Sequence, residues 1–524
     1  MKKFWLVLLS LGLVMAFSVS AFAVDVKVSG EYYAAGMYLD NTTLRKTAEN
    51  YYYYVPSGQS LALVDGGGPA GYSTAFFYQR LRVGMDFIVS PCLKLVTRFD
   101  AMERIWGGAR STPGSSGNLG GLSQLGTYSD YDMGSAGTTA ENQNIAFDYA
   151  YIDYTSPIGL FRVGYQEDEV WGTVFANSSK PLGRITYAVK VGPWTGVAYI
   201  GKFKDISYSA VNTSGMGSNR TDSDVDQYVV AGNYSFKDGA VGLLIKHVRS
   251  AYGRDLSSVS PYAPGVKQQI TILDPYVKAQ FGPVKIQAEV LYGFGDYIKW
   301  EENPAGSPFP DFLYENVRLD NWAGWVDATA DLGKVYVGGS VAFVSGDDGA
   351  TKGAKEGGII TGGTDWNPCL ILFNFDRYYW AGSLPGYTGT QNPNLKDFTL
   401  KTDDSGMTNA WLLQGRIGVK PTPQWDIVAS LSHAFVDKKP VFNNGYYPPA
   451  SVPPTTVGLG GNPTQATNGT YGTEIDITAT YKITNNLTYM LGAGYLFTGD
   501  YFKGTTNNDV TDDYMLLNKL TLSF

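Results

Sequence analysis

The stretch from Tyr514 to Phe524 constrains the fold of this chain more than any other. In an extended strand, successive side chains point to opposite faces. Apart from Asn518, one face of this stretch is entirely apolar, with Tyr514, Leu516, Leu520, Leu522 and Phe524. The other face is mostly polar. The pattern predicts either an edge strand of a soluble sheet or the closing strand of a sheet whose outer face meets lipid.

The amino-terminal residues predict export from the cytoplasm. Lys2 and Lys3 precede the apolar run 4–17, and Ala21-Phe22-Ala23 follows it. A charged start, an apolar middle and a small-x-small site are typical of a secretory signal peptide. We therefore expect a signal peptide at 1–23 and a mature chain that begins at Val24. A retained membrane anchor is the alternative.

The composition of the remaining chain favours membrane-spanning strands. No apolar run after residue 23 reaches the ~20 residues that a membrane helix needs. Yet the sequence holds 38 Tyr, 25 Phe, 11 Trp and 63 Gly, with only 17% charged residues. This balance is typical of a transmembrane barrel, whose strands show only alternate residues to lipid. No linker divides residues 24–524, so we expect a single domain. A soluble all-β protein is the alternative.

Two kinds of connection alternate along the chain. Stretches of ~10 strand-like residues, as in transmembrane barrels, are joined by either long, polar, glycine-rich loops or short turns. The short turns contain the residues that reversals need, as in Ser90-Pro91-Cys92, Gly192-Pro193 and Gly282-Pro283. Because backbone groups in hydrocarbon must all be paired, the sheet must close on itself. The sequence predicts an all-β, antiparallel transmembrane barrel of about eighteen strands, with sixteen or twenty as alternatives, short periplasmic turns and long extracellular loops.

Alternation within the strands predicts which side chains line the lumen. A barrel of this size leaves an aqueous channel. Arginine on a lipid-facing position is costly, so Arg80, Arg82 and Arg98 are expected to face inward at mid-membrane height. The other predicted lining residues are Tyr78, Asp100, Arg162, Lys285, Glu289 and Arg416. The alternative is that the arginines only neutralise Asp86, Asp100 and Asp148 in a salt-bridged wall.

An acidic cluster predicts a constriction. Glu167, Asp168 and Glu169 are consecutive, so their side chains cover both faces of a strand. Continuing the strand would place two of them in lipid, and we therefore expect it to end near Gln166. We predict that 167–183 folds into the lumen and faces the arginines. Charges arranged in this way set ion selectivity in pores.

The longest connection is 346–407, which we predict as a large external loop. It contains the apolar segment 366–373. A loop of this length with an apolar segment should pack somewhere. It could cap the mouth, dip into the barrel or contact a neighbouring subunit.

Several classes of function are disfavoured. The net charge of −8 argues against nucleic-acid binding, which needs a basic face. Cys92 and Cys369 are far apart, without metal or haem spacing, and are expected at opposite ends of the barrel without a disulfide. His247 and His433 are the only histidines, and no phosphate or dinucleotide motif is present. We expect no enzyme, cofactor or metal.

Aspartates cluster in several loops. Such clusters can bind Ca²⁺, but none here has EF-hand spacing, so we expect them to be solvated. The residues are Asp222, Asp224, Asp226, Asp347, Asp348, Asp512 and Asp513.

The carboxyl-terminal part of the chain resembles a known family. The segments 472–476 (Gly-Thr-Glu-Ile-Asp) and 495–500 (Tyr-Leu-Phe-Thr-Gly-Asp), with Phe524, resemble the end of alginate-export-type outer-membrane barrels and related porins. Val-Ser-Gly-Asp-Asp at 344–348 resembles a strand-to-loop exit in the same group. The resemblance implies an eighteen-stranded pore with Glu474 and Asp476 on the lumen wall. Alginate exporters have a densely arginine-lined lumen, whereas the predicted lining here is mixed, so alginate is not carried over.

These observations predict a bacterial outer-membrane porin for passive diffusion of small hydrophilic solutes or ions. One alternative is a selective channel or exporter for an anionic saccharide. Another is a surface receptor or adhesin with a closed lumen. The expected partners are outer-membrane lipid and the solutes, with a homo-oligomer, such as a trimer, as an open possibility.

Overall fold

A computed structural model describes the barrel wall and part of its connections. The described residues are 24–42, 44, 51–53, 62–64, 73–106, 145–205, 223–252, 265–301, 316–348, 351, 353–382, 384, 406–439, 441–442, 464–465, 469–503 and 510–524. The predicted signal peptide at 1–23 and Asp222 lie outside them.

Eighteen antiparallel strands form the wall. The first nine are β1 (Asp25–Leu39), β2 (Thr74–Ser90), β3 (Leu93–Ile105), β4 (Ile145–Ser156), β5 (Gly159–Asp168), β6 (Lys180–Val191), β7 (Trp194–Lys204), β8 (Val225–Phe236) and β9 (Gly239–Ser250). The others are β10 (Val266–Phe281), β11 (Val284–Trp300), β12 (Val317–Asp331), β13 (Val335–Val344), β14 (Ala410–Val419), β15 (Trp425–Phe435), β16 (Thr470–Lys482), β17 (Leu487–Thr498) and β18 (Asp513–Ser523).

The sheet closes through its first strand. Each strand pairs with the next along the chain, and β1 pairs with both β2 and β18. In the first of these ladders Tyr33 lies opposite Arg80, and in the second it lies opposite Thr521. The predicted closed barrel of eighteen strands is therefore confirmed.

The smaller elements are not among the eighteen strands of the wall. Ala354–Lys355 forms a short parallel pairing with β12. Helix α1 spans Phe375–Ala381, and a 3₁₀ turn spans Asp500–Lys503. Two-residue and three-residue ladders join 441–442 to 464–465 and 51–53 to 62–64. No helix in the described ranges is both long enough and apolar enough to cross a membrane.

The tight turns lie at one end of the barrel and the long connections at the other. Gly192 and Gly282 have φ of +58° and +57°. This left-handed conformation favours glycine because it has no Cβ. These two glycines therefore allow the two-residue reversals between β6 and β7 and between β10 and β11.

The outward face of the wall is apolar. On β18, Leu516, Leu520 and Leu522 are exposed, as is the adjoining Phe524. The same face of β16 exposes Ile475 and Ile477. Exposed apolar side chains in alternate positions are what a lipid-facing wall requires, so the predicted face of the carboxyl-terminal strand is confirmed.

Two connections lie against the inner face of the wall. The segment 169–179 joins β5 to β6, and the segment 353–384 belongs to the connection between β13 and β14. They meet where the Ala176 amide donates to the Gly362 carbonyl at 2.9 Å. Phe175 packs edge-on against Trp366, with ring centroids 5.1 Å apart. The two inserted segments therefore form one layer inside the barrel.

Candidate pore lining and inserted loops

The three predicted arginines are all paired with carboxylates. Arg82 lies opposite Asp100 on β3, and two of its nitrogens donate to the two carboxylate oxygens at 2.7 Å each. Arg98 donates to Asp148 at 2.8 Å and to Glu167 at 3.1 Å. Bidentate and charge-assisted bonds of this kind are strong and fix side-chain geometry.

Arg80 completes this group at a greater distance. Its guanidinium lies 3.6 Å from the Glu103 carboxylate and 5.1 Å from the centre of the Tyr33 ring. Asp86 pairs with Lys94 instead, at 2.7 Å. The wall is thus a lattice of opposite charges, as the salt-bridged alternative described, but with Glu103 and Glu167 in place of Asp86.

The remaining predicted lining residues fall into three environments. Arg162 pairs with Asp153 at 2.8 Å, and Arg416 with Asp327 at 2.6 Å. Lys285 is exposed, close to the turn that begins β11. The buried residues are Tyr78, Glu289, Glu474 and Asp476.

The acidic cluster begins on the wall. Strand β5 continues through Asp168, so the predicted end near Gln166 is slightly too early. The physical reason is that both extra carboxylates find cations: Glu167 pairs with Arg98, and Asp168 with Arg184 at 2.8 Å. Neither carboxylate is left unpaired.

Asp168 organises a small polar network. Its carboxylate accepts hydrogen bonds from the Tyr199 hydroxyl at 2.5 Å and from the Gln227 amide at 3.0 Å. These partners lie on β7 and β8. The network therefore ties the end of β5 to strands further along the wall, where the inserted segment begins.

Glu169 turns the chain away from the wall. Its φ is +56°, a conformation uncommon for a non-glycine residue. Its carboxylate lies 3.4 Å from the Lys246 ammonium and 3.5 Å from that of Lys180. Burial alone would raise the pKa of the Glu169 carboxyl, but the two ammonium groups outweigh it and hold the pKa below its usual value.

Glu289 on β11 holds the first inserted segment. It is 1% exposed and accepts hydrogen bonds from the Thr173 amide at 2.8 Å and from the Thr173 hydroxyl. The Trp171 indole donates to the Asp274 carbonyl at 3.1 Å. Gly172 approaches so closely that a Cβ there would lie 2.9 Å from the Cβ of Tyr276. The segment is therefore seated on β10 and β11, across the lumen from the arginines.

We expect the change Glu289→Ala to destabilise the barrel by about 1–3 kcal/mol, since it leaves the buried Thr173 amide without an acceptor. Glu289→Gln keeps an acceptor oxygen and should cost less. Urea unfolding of the refolded protein in detergent, monitored by circular dichroism, measures the difference in free energy of unfolding between the variants. Lys285→Ala, on the same face of β11, is the matched control and should change stability by less than about 0.5 kcal/mol. Equal losses at both positions would contradict this docking role.

Glu474 on β16 holds the second inserted segment in the same way. It is 0% exposed, and its two oxygens accept from the Ile371 and Leu372 amides at 2.6 and 2.7 Å. Gln414 donates to the Pro368 carbonyl at 2.6 Å. Each docked loop thus offers backbone donors to one buried wall carboxylate.

Apolar packing also holds the second inserted segment against the wall. Trp380 of α1 lies against Tyr78, with ring centroids 4.5 Å apart. Fully buried Leu372 and Phe373 join one cluster with inward-facing Leu412 on β14. We predicted 346–407 as a large external loop that could cap the mouth, dip into the barrel or contact a neighbouring subunit. Its described part between residues 353 and 384 packs against inward-facing side chains of the wall. Its apolar side chains explain this position, because insertion removes them from water.

His433 and its neighbour Ser432 do not form a site together. His433 is exposed on the outer face, and its Nδ1 lies 2.9 Å from the Thr473 hydroxyl. Ser432 points inward, where its hydroxyl accepts from Gln414 at 3.0 Å. Side chains of adjacent strand residues point to opposite faces, so the pair cannot act together.

The two cysteines differ in exposure, and two of the loop aspartates pair with lysines. Cys92 is exposed at the short turn after β2, whereas Cys369 is buried in the inserted segment. Burial raises the pKa of the Cys369 thiol well above its usual value. Lys202 pairs with Asp224 at 2.5 Å, and Lys355 with Asp347 at 3.0 Å.

Closure, an apolar outer face and a charged inner face define the class of protein. In hydrocarbon only a closed sheet pairs every backbone group of a strand. Barrels of this construction span the bacterial outer membrane. The protein is an outer-membrane β-barrel that contacts lipid through its outward face.

Comparisons with known proteins extend this picture only at a distance. No family model matches the sequence, and no curated protein matches it. The outer membrane protein OpdK of Pseudomonas aeruginosa is 9% identical, with 95% of this chain and 99% of that chain covered and a TM-score of 0.42. OccK8 (OprE) of the same organism is 10% identical, with 95% and 98% covered and a TM-score of 0.45. The outer membrane channel DcaP of Acinetobacter baumannii is 11% identical, with 96% and 99% covered and a TM-score of 0.35.

Proposed function

We propose that the protein is a porin through which small hydrophilic solutes or ions diffuse passively across the outer membrane. The observation that carries this proposal is the division of the barrel interior into two sides. Paired charges line the inner face of β2 to β9. Packed apolar side chains cover most of β1 and β11 to β18, where Arg416 and Asp327 form a charged pair near the short-turn end. The charged side is the one that water and polar solutes can use.

Exposure distinguishes the two sides. The side chains of Arg82 and Glu167 are 29% and 37% exposed, although both are paired. On the opposite side Phe175 and Leu372 are 0% exposed. Partly exposed charges in a lumen raise the local concentration of ions and polar solutes. We therefore assign the passage to the space beside the arginines.

The segment 169–179 supplies the constriction in this proposal. It begins at Glu169 beside the arginine wall and reaches Glu289 on the far wall, so it narrows the lumen between them. Arg80, Arg82 and Arg98 with Glu167, Asp168 and Glu169 give this zone cations and anions together. Both signs in one narrow zone support weak selectivity. Selection for an anionic saccharide is the alternative, and its test is the reversal potential in a salt gradient.

Single-channel recording of the refolded mature protein in a planar bilayer tests the proposal. We expect discrete current steps. Swelling of liposomes that contain the protein should be fast with small sugars and slow with larger oligosaccharides. Heat-shifted mobility on a gel verifies that the inserted protein is folded. Folded, inserted protein that passes neither current nor sugar would contradict the porin.

A folded, inserted protein without current or sugar uptake would support the second candidate, a surface receptor or adhesin with a closed lumen. The observation in its favour is the apolar packing of the inserted segment 353–384, which removes part of the lumen from water. A homotrimer and membership of the alginate-export-type group stay predictions. Cross-linking in detergent tests the trimer.

A further inference from the structure

Three acidic side chains converge where the second inserted segment meets the wall. One ligand atom each from Cys369, Glu474 and Asp476 lies within 4.8 Å of the others, and all three residues are buried. Cys369 belongs to the inserted segment, and the two carboxylates belong to β16. Among the described residues, the partners of the two carboxylates are neutral groups: the Ser430 hydroxyl and the amides of residues 370–372. The cluster therefore lacks a cation from these residues.

One oxygen of this cluster lacks a donor. Asp476 is 4% exposed, and its Oδ2 accepts from the Ser430 hydroxyl at 3.4 Å. Its Oδ1 is buried without any hydrogen-bond partner among the described residues. Leaving a buried carboxylate oxygen unpaired costs substantial free energy. A proton shared with the neighbouring Glu474 carboxyl, or a bound cation, would satisfy this oxygen.

Gly494 on β17 lets the backbone lie close to that oxygen. A Cβ at this position would lie 2.7 Å from Asp476 Oδ1 and 3.4 Å from Glu474 Oε1. Any larger residue would therefore clash with Asp476 and crowd Leu370, whose Cβ would lie 3.1 Å away. The oxygens of Glu474 each accept one amide, and a carboxylate oxygen has a second lone pair for another partner.

We propose that Cys369, Glu474 and Asp476 bind one divalent cation of the zinc class. A thiolate with two carboxylates suits Zn²⁺, which accepts sulfur and oxygen ligands, better than Ca²⁺ or Mg²⁺, which prefer oxygen alone. The cation would supply the positive charge that the cluster lacks. It would also join the inserted segment to the wall, because the sulfur and the oxygens come from different parts of the chain.

Binding releases protons. Zn²⁺ takes the thiolate and carboxylate forms, so the thiol proton and any carboxyl proton pass to solvent as the metal bonds form. Affinity should therefore rise with pH. This inference does not depend on whether the barrel conducts.

Metal analysis and an optical probe test the site. The folded protein in detergent is incubated with Zn²⁺, freed of excess metal by gel filtration and analysed by mass spectrometry. We expect one equivalent of zinc in the wild type and in Cys92→Ser, the matched control with an exposed thiol. Cys369→Ser and Asp476→Asn should each weaken binding by about tenfold or more.

Co²⁺ provides the second readout. In the wild type it should give a thiolate-to-cobalt charge-transfer band, which Cys369→Ser abolishes and Cys92→Ser keeps. Heat-shifted mobility verifies that each variant is folded. Folded wild-type protein that retains no more zinc than Cys369→Ser, and shows no charge-transfer band, would overturn the proposal. Protons alone would then hold the cluster together.

Discussion

Replacing residues 347–408 by a short glycine–serine turn should increase single-channel conductance by about twofold or more, since an eighteen-stranded wall encloses a wide channel when its interior is empty. The replacement is feasible because Val344 and Ala410 are directly opposite each other in the ladder between β13 and β14. A tight turn can therefore join strands that are already paired. Planar-bilayer recording at fixed salt measures the change.

The same variant should admit larger solutes. Trp366, Leu372 and Trp380 leave the lumen with the replaced segment, so water fills the space they occupied. Liposome swelling with oligosaccharides of increasing size measures the new cut-off. Glu474→Gln is the companion variant, because it keeps the inserted segment and changes only the carboxylate that accepts its amides. We expect its conductance to stay close to that of the wild type, with more frequent transitions between conductance levels.

A folded replacement variant with wild-type conductance and cut-off would show that the larger loop does not limit passage. The narrowest zone would then lie at 169–179, which this variant retains. Thermal unfolding distinguishes a stable empty barrel from a disordered one. The proposal fails if the variant is folded and also non-conducting.

Changing Arg80, Arg82 and Arg98 together to Ser should shift the channel toward cations. The change leaves the carboxylates of Asp100, Asp148 and Glu167 without their partners in the lumen. One unit charge at about 4 Å contributes about 1 kcal/mol even in water, so we expect the cation-to-anion permeability ratio to rise about fivefold or more. The reversal potential in a salt gradient measures this ratio.

Two controls separate charge from packing. Arg82→Gln combined with Asp100→Asn keeps the net charge and should leave selectivity nearly unchanged. Arg416→Ser removes a cation near the short-turn end of β14, away from the inserted segments, and should have a smaller effect. An unchanged reversal potential in the triple variant would remove the arginines from the conduction path.

The wall was predictable from sequence because one constraint acts on every strand. Backbone groups must be paired in lipid, and outward side chains must be apolar, so both the strand count and the direction of Arg82 follow from alternation. The signal fades in the half of the wall that the inserted loops cover. Leu412 faces inward and Leu413 outward on β14, and both are apolar. Alternation cannot distinguish two apolar faces.

The inserted loops were harder to place. Sequence alternation put Glu289 on the lumen side, and the family resemblance implied the same for Glu474, but both were predicted as pore lining. Their partners, Thr173 for one and Ile371 and Leu372 for the other, are distant in the chain. The contacts use mainly backbone amides, which every residue except proline has. The acidic cluster at 167–169 was the signal for the first inserted loop. The segment 366–373 was the signal for the second, since an apolar stretch in a loop must pack somewhere. The Cys369 cluster had no spacing that could reveal it.

The pairing of Val344 with Ala410 has a consequence for how such proteins diversify. The strands that flank the intervening segment pair directly with each other. Insertions, deletions or exchanges in that segment therefore leave the membrane-spanning architecture intact. Mutation can reshape what occupies the lumen without a matching change in the strands, except at the few carboxylates that receive the loop. The barrel wall can therefore stay constant, and a change of solute preference requires changes only in the inserted loop.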